Sequence, residues 1–227
     1  MKNLCALIPS YNEGRTIGDL VTKLRAKGLT VYVVDDGSTD GTAAIAEAAG
    51  AIVVKHKKNK GKGASMREGF KHVVKKGFDA VIVMDGDGQH LVEDIGNFVD
   101  RIEATKADMI IGNRMTDVAS MPEERKHTNR FMSGLISWLA GQDVPDSQSG
   151  YRLIKSEVLR KIKLESSNYE IESEMIVKAA RAGFRIESVP IKTVYQGQKS
   201  RINPFIDTIR FISFVLKIMF KRQGYGA

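Results

Sequence analysis

Three times in the first half of this chain, and once in the second, a small or basic helical turn ends at a glycine and an apolar run follows. Arg25-Ala26-Lys27-Gly28 precedes Leu29 to Val34, and Glu47-Ala48-Ala49-Gly50 precedes Ala51 to Val54. Val74-Lys75-Lys76-Gly77 precedes Phe78 to Met84, and Arg181-Ala182-Gly183 precedes Phe184 to Val189. Glycine just beyond a helix takes the left-handed cap that other residues resist. Helices alternating with continuous apolar strands build crossover units, hence an α/β fold whose mainly parallel central sheet carries helices on both faces. The pattern predicts strands at about 4–9, 30–35, 51–55, 80–84 and 108–112, with helices between them. In such sheets ligands bind beyond the carboxyl ends of the strands.

The polar chemistry sits at those ends. Strand one runs into Pro9-Ser10-Tyr11-Asn12-Glu13-Gly14, and strand two into Asp35-Asp36-Gly37-Ser38-Thr39-Asp40-Gly41-Thr42. The fourth ends in Asp85-Gly86-Asp87-Gly88-Gln89-His90 and the fifth in Gly112-Asn113-Arg114. Asp85 and Asp87, one residue apart on a glycine-loosened turn, can point hard oxygen ligands at one divalent cation. Such ligands suit Mg²⁺ or Mn²⁺ and leave coordination sites for substrate phosphates. A metal-dependent enzyme acting on a phosphorylated donor follows.

Competing motifs fail on context. Counting from Asp36, Ser38, Asp40, Gly41 and Glu47 approximate a calcium-binding EF-hand loop, but a β run precedes it and Thr42 to Ala49 already reads as helix. Asp36 is instead expected to accept hydrogen bonds from a base or ribose, and Asp40 to cap the helix. Tyr11 could flank a nucleobase, and Glu13 could reach its imide or amino edge. Lys60-Gly61-Lys62-Gly63-Ala64-Ser65 is no Walker loop, because His56 stands where its first glycine belongs and neither Ser nor Thr follows Lys62. Gly61 and Gly63 are expected to open a helix, in a structural role more than as a phosphate contact. Arg114 is expected to pair with a diphosphate. Arg125 and Arg130 read as surface helix charges as readily as ligands, and the four histidines show no metal-ligand spacing.

The 227 residues suffice for one large domain, and no linker divides them. Cys5, the sole cysteine, excludes an internal disulfide, which favours a cytoplasmic setting. The chain enters a strand at once, so no signal peptide is expected. The net charge of +8 suits nucleic acid, anionic lipid or a polyphosphate substrate. Tyr169 to Ala182 reads as a helix bearing Glu170, Glu172 and Glu174, and Phe184 to Tyr195 as strands broken by Pro190. Phe205 to Arg222 is an amphipathic C-terminal helix interrupted by Asp207, Arg210 and Lys217. A spanning helix needs about 20 mainly apolar residues with few charges, so this one either lies at a lipid interface or packs on its own domain or a second subunit.

As a set these motifs, with Ser149-Gly150-Tyr151-Arg152, resemble family 2 glycosyltransferases of the GT-A fold. The branch most similar is the polyprenyl-phosphate sugar transferases, such as the dolichyl-phosphate mannose synthases. The resemblance implies that Pro9, Tyr11, Glu13, Val34 and Asp36 hold the nucleotide of a GDP- or UDP-sugar. It implies Asp85, Asp87 and Gln89 as ligands of Mg²⁺ or Mn²⁺, with Gly86 in the donor site and Arg114 on the donor phosphates. The family's late Gly-x-Ser-Lys element appears altered, as Gly197-Gln198-Lys199-Ser200-Arg201, with Arg201 in the lysine's place.

The expected reaction is inverting sugar transfer to a polyprenyl phosphate by a protein peripheral to the cytoplasmic face of the membrane. Asp87 and Arg114 would stabilise the departing diphosphate. A glycan hydroxyl is the alternative acceptor; it needs a base, for which Glu172 and Glu174 are the candidates. A non-catalytic binder of nucleotides or membrane is the third reading. No nucleic-acid partner is expected, and a homodimer through the last helix is one of the open arrangements. The expected organisation is a transferase domain over 1–202, with a nucleotide-sugar half (1–115) and an acceptor half (116–202), then the helix and tail over 203–227.

Overall fold

The computed structural model describes residues 3–116, 121, 123–192 and 204–220. In chain order the elements are β1 (Leu4–Ser10), α1 (Ile17–Ala26), β2 (Thr30–Asp35), α2 (Thr42–Ala48), β3 (Ile52–Lys55), α3 (Lys62–Lys75), β4 (Ala80–Val83), α4 (Ile95–Thr105) and β5 (Met109–Asn113). There follow α5 (Glu123–Ala140), β6 (Arg152–Lys155), α6 (Ser156–Lys161), α7 (Ile171–Arg181), β7 (Ile186–Pro190) and α8 (Pro204–Phe220). The five strands expected from the sequence form to within a residue or so at each end. All four cap glycines, Gly28, Gly50, Gly77 and Gly183, adopt positive φ.

The strands make one sheet in the order β3-β2-β1-β4-β6-β5-β7. Every strand runs parallel except β6, which pairs antiparallel with both β4 and β5. Because β6 comes from the acceptor-side stretch yet lies between two strands of the nucleotide-side stretch, residues 1–115 and 116–192 share one sheet rather than forming separate halves. The order reverses where β1 separates β2 from β4, and in such sheets ligands bind beyond the carboxyl ends at this switch point.

Alternation along the strands divides the core. Cys5, Leu7, Val81 and Val83 face α3, α5, α6, α7 and α8, whereas Ala6, Ile8, Ile82 and Met84 face α1, α2 and α4. Strands buried on both faces must be apolar throughout, which is why β4 reads as an unbroken run. The span 184–195 contributes one strand, β7, which ends at Pro190, and residues 193–195 lie outside those described. Helix α8 settles part of its ambiguity: Phe211, Phe214, Val215 and Ile218 are buried in the cluster that includes Met175 and Ile176 of α7. Its other face keeps Ile212 at 52% and Leu216 at 47% exposure. No helix among the described residues is long and apolar enough to cross a membrane.

Candidate active site

The switch point is walled by two loops that stitch to each other. Asn12, at φ 51°, donates its backbone N–H to Ser38 Oγ at 2.8 Å, and its Oδ1 accepts from the Thr39 N–H at 2.9 Å. The Glu13 N–H donates to Thr42 Oγ1 and the Gly14 N–H to Asp40 Oδ2, both at 2.9 Å. Asp40 also accepts from the Thr42 N–H at 3.1 Å, so it serves the start of α2 as expected, although Gly41 occupies the cap position itself. Tyr11 stands at the tip, 36% exposed. Pro9 and Val34 are buried, and Val34 packs into the core, so any ligand contact there falls to backbone atoms.

Asp36 departs from its expected role. One carboxylate oxygen accepts from the Lys60 N–H at 2.9 Å and meets His56 Nδ1 at 2.6 Å, and the other accepts from the Gly61 N–H at 2.8 Å. These bonds fasten the 59–61 loop instead of offering both oxygens to a base or ribose. His56, expected on a solvated basic loop, is buried in this pairing. Its neighbour Asp35 is the side chain with a spare acceptor: its Oδ1 is buried with no hydrogen-bond partner. Gly61 and Gly63 have the structural role foreseen, since a Cβ at either would lie 2.3 Å from Ser167 O or 2.6 Å from Ser166 O.

The acidic turn follows β4. Space at its middle residue is tight, because a Cβ on Gly86 would sit 2.8 Å from Ser10 Oγ and 3.2 Å from Glu13 Cγ. Thr16 Oγ1 donates to the Gly86 carbonyl, and Asp87 Oδ1 accepts from the Gln89 N–H at 3.0 Å. The Asp85 N–H donates to His90 Nδ1 at 3.3 Å, and the imidazole stacks on Tyr151. Burial pushes the His90 pKa down to about 4, so the ring is neutral at pH 7.

A cation already serves Asp85. Lys62 Nζ lies 2.5 Å from Asp85 Oδ1 and 2.7 Å from Glu172 Oε1, with the Tyr169 ring at 5.8 Å. Burial works against the ammonium, but the two carboxylates outweigh it and hold its pKa above the ordinary lysine value. Burial likewise opposes the charge on Asp85, yet Lys62 beside it holds that carboxyl well below the usual range.

Arg114 reaches the rim, but Asp146 takes hold of it. The guanidinium makes a two-pronged pair, Nε to Oδ2 at 2.7 Å and Nη2 to Oδ1 at 2.8 Å, and the Arg114 N–H adds a third bond. Arg152, fully buried, donates to the carbonyls of Ser149, Glu172 and Ser147 at 2.7–2.8 Å. It thereby ties the 147–149 loop to α7.

The two expected bases part company. Glu172 is buried against Lys62. Glu174 faces away from the site: its carboxylate accepts the Glu165 and Ser166 N–H groups and pairs with Lys178 at 2.6 Å. Burial opposes its charge, but Lys178 and the backbone donors lower its pKa, so the carboxylate anchors the 165–166 backbone. Neither residue lies on a solvated face. Arg201 lies outside the described residues.

The sequence shows Lys62 and Arg152 only as members of motifs, with no role of their own, and does not mark Asp146. Each acts through a partner far along the chain or through backbone carbonyls, and the only signal is their place beside glycine-rich or Ser-Gly segments.

Residues 5–163 match the family described as Glycosyl transferase family 2. The chain belongs to that family. It is 30% identical over 217 residues to the UDP-N-acetylglucosamine–dolichyl-phosphate N-acetylglucosaminyltransferase of Methanococcus voltae, covering 86% of each chain. It is 31% identical over 199 residues to the polyprenol monophosphomannose synthase of Mycolicibacterium smegmatis, covering 82% of this chain and 75% of that one. Among solved structures, glucosyl-3-phosphoglycerate synthase from Mycobacterium tuberculosis, in complex with Mn²⁺, UDP and phosphoglyceric acid, superposes with TM-score 0.69. That likeness covers 99% of this chain and 80% of the other at 20% identity, and it shows the shared GT-A fold. This family 2 glycosyltransferase thus has the fold and enzyme class its motifs led us to expect.

The acidic turn of the glycosyltransferase fits a hard cation. Among the described residues no three His, Cys, Asp or Glu side chains gather into a metal cluster. The turn supplies two carboxylates and the Gln89 amide, a set that would leave coordination sites for water and phosphate oxygens.

Proposed function

We propose that this glycosyltransferase moves a sugar, with inversion at the anomeric carbon, from a GDP- or UDP-sugar to a polyprenyl phosphate. The observation that carries the choice of acceptor is the engagement of both candidate bases. Glu174 is locked to backbone and Lys178, and Glu172 is paired with Lys62. A sugar hydroxyl needs a base to take its proton, whereas a phosphate monoester is already anionic and attacks without one. The relatives named for dolichyl phosphate and polyprenol support the same acceptor class.

The donor's nucleotide would lie over the Tyr11 loop, beside Glu13 and the β2 end, with its diphosphate toward the 85–89 turn. Asp85, Asp87 and Gln89 would hold Mg²⁺ or Mn²⁺, which when bound neutralises charge developing on the leaving diphosphate. Arg114, oriented by Asp146, adds a fixed positive dipole on the same rim. The exposed Ile212 and Leu216, flanked by Arg210 and Lys217, suit a lipid surface and support the reading of an enzyme peripheral to the membrane, at its cytoplasmic face.

A thermal-shift panel of nucleotide sugars, with and without Mn²⁺, tests the donor assignment. At about 100 times its dissociation constant the true donor adds about 2.7 kcal/mol, or roughly 5–10 °C for a chain of this size. A panel in which no nucleotide sugar raises the melting temperature contradicts the assignment.

A further inference from the structure

Lys62 occupies an oxygen that a divalent cation also needs. The ammonium is 2.5 Å from Asp85 Oδ1 and 2.7 Å from Glu172 Oε1, with only 15% of its side chain exposed. A Mg²⁺ ion binds carboxylate oxygens at about 2.0–2.1 Å, so an ion on Asp85 would stand beside the ammonium and like charge would repel it. On its other side the Asp85 carboxylate is crowded by Gly150, where an added Cβ would be 2.5 Å from Oδ2. Glu172 is buried and has the same ammonium as its partner. The lysine is therefore shared between one carboxylate on the acidic turn and one on α7.

We propose that Lys62 is a resident counter-cation of the donor site, displaced toward Glu172 when a divalent ion takes Asp85, so that Lys62 and Glu172 together set the metal affinity. The inference rests on the metal assignment made above. Lys62 is a positioning residue here: it holds the Asp85 carboxylate in place while the site is empty. Glu172 is the second seat that makes its departure affordable, with Tyr169 beside the path. The arrangement couples the acidic turn to the first turn of α7, which borders the acceptor side. No proton changes hands at any point.

The test is Mn²⁺ binding to the full chain, followed by electron paramagnetic resonance of free Mn²⁺ with no nucleotide present. Lys62→Met removes the competing charge, and Mn²⁺ should bind about tenfold tighter or more. Glu172→Gln removes the second seat, leaves Lys62 wholly on Asp85, and should weaken Mn²⁺ by about three- to tenfold. In the Lys62→Met background the Glu172→Gln change should have no further effect, because Glu172 acts through the lysine. That double variant removes the Glu172 charge that Lys62→Met would leave buried beside an apolar side chain, so it keeps the test open should Lys62→Met alone fold poorly.

Equal Mn²⁺ affinity in wild type, Lys62→Met and Glu172→Gln, with binding lost in Asp87→Ala, overturns the role of Lys62 and leaves the metal site standing. Mn²⁺ binding unchanged by Asp87→Ala, or absent from every variant and the wild type, overturns both.

Discussion

Gly150 is pressed against Asp85: a methyl group at position 150 would lie 2.5 Å from Oδ2 and 2.9 Å from the carboxylate carbon. The loop before β6 thus fixes one side of the carboxylate, as Lys62 fixes the other. Gly150→Ala should force the acidic turn to shift, at a cost of about 1–3 kcal/mol. The melting temperature is expected to fall by roughly 3–10 °C, and Mn²⁺ affinity by at least about tenfold. Unchanged Mn²⁺ binding in a folded Gly150→Ala protein would show that this contact does not position the site.

Asp146 holds Arg114 by two parallel hydrogen bonds from a fully buried position. Asp146→Asn keeps the shape and removes the charge, and should cost about 1–3 kcal/mol in urea unfolding. Arg114→Lys cannot form the two-pronged pair, so donor affinity should fall with little change in stability. Donor binding by calorimetry separates the two variants, and wild-type affinity in Arg114→Lys would remove Arg114 from the donor site.

Glu174 yields a prediction in pH. Its carboxyl pKa is lowered in the fold from the ordinary 4.5, so between the two values the unfolded chain binds the extra proton. The stabilisation is complete above about pH 4.5 and fades as acid protonates the folded form. Glu174→Gln should be less stable than wild type at pH 7 by about 1–3 kcal/mol, with the gap closing as pH falls below 4.5 through the lowered folded value. Sugar transfer should persist in the variant. Loss of transfer with stability unchanged would return Glu174 to the catalytic group.

The sheet was legible because its signals are local: short apolar runs, four of which (β2, β3, β4 and β7) follow a helix and a capping glycine. The acidic turn and the Tyr11 loop were legible for the same reason, since polar residues follow directly on strand ends. What escaped was pairing across the chain. Lys62 meets Glu172 110 residues away, and Arg114 meets Asp146 32 residues away. Nothing in the spacing of Glu172 and Glu174 separates a carboxylate beside the site from one bonded to the 165–166 backbone. The bonds from Asp36 to the 59–61 loop were not legible, because a carboxylate at a strand end looks the same whether or not a neighbouring loop also meets it. Helix α5 was legible only through the surface-helix reading of Arg125 and Arg130, because Glu123 to Arg130 is charged and polar before any apolar periodicity begins.

The exposed face of α8 distinguishes lipid from a second copy. Ile212→Asp with Leu216→Asp should leave the fold intact, because both side chains are about half exposed. Sedimentation with vesicles containing anionic lipid should drop sharply for this pair relative to wild type. Unchanged vesicle binding together with loss of a dimer in gel filtration would assign the face to a second subunit.

The account's central claim is tested most directly by following the sugar itself. Wild-type enzyme, Mn²⁺ and a short polyprenyl phosphate are incubated with each radiolabelled GDP- or UDP-sugar, and label is counted after partition between water and organic solvent. With one donor the label should move into the organic phase, and Asp87→Ala or a chelator should abolish the transfer. Label that stays in water as glycan product, or transfer that survives both Asp87→Ala and chelation, would contradict it.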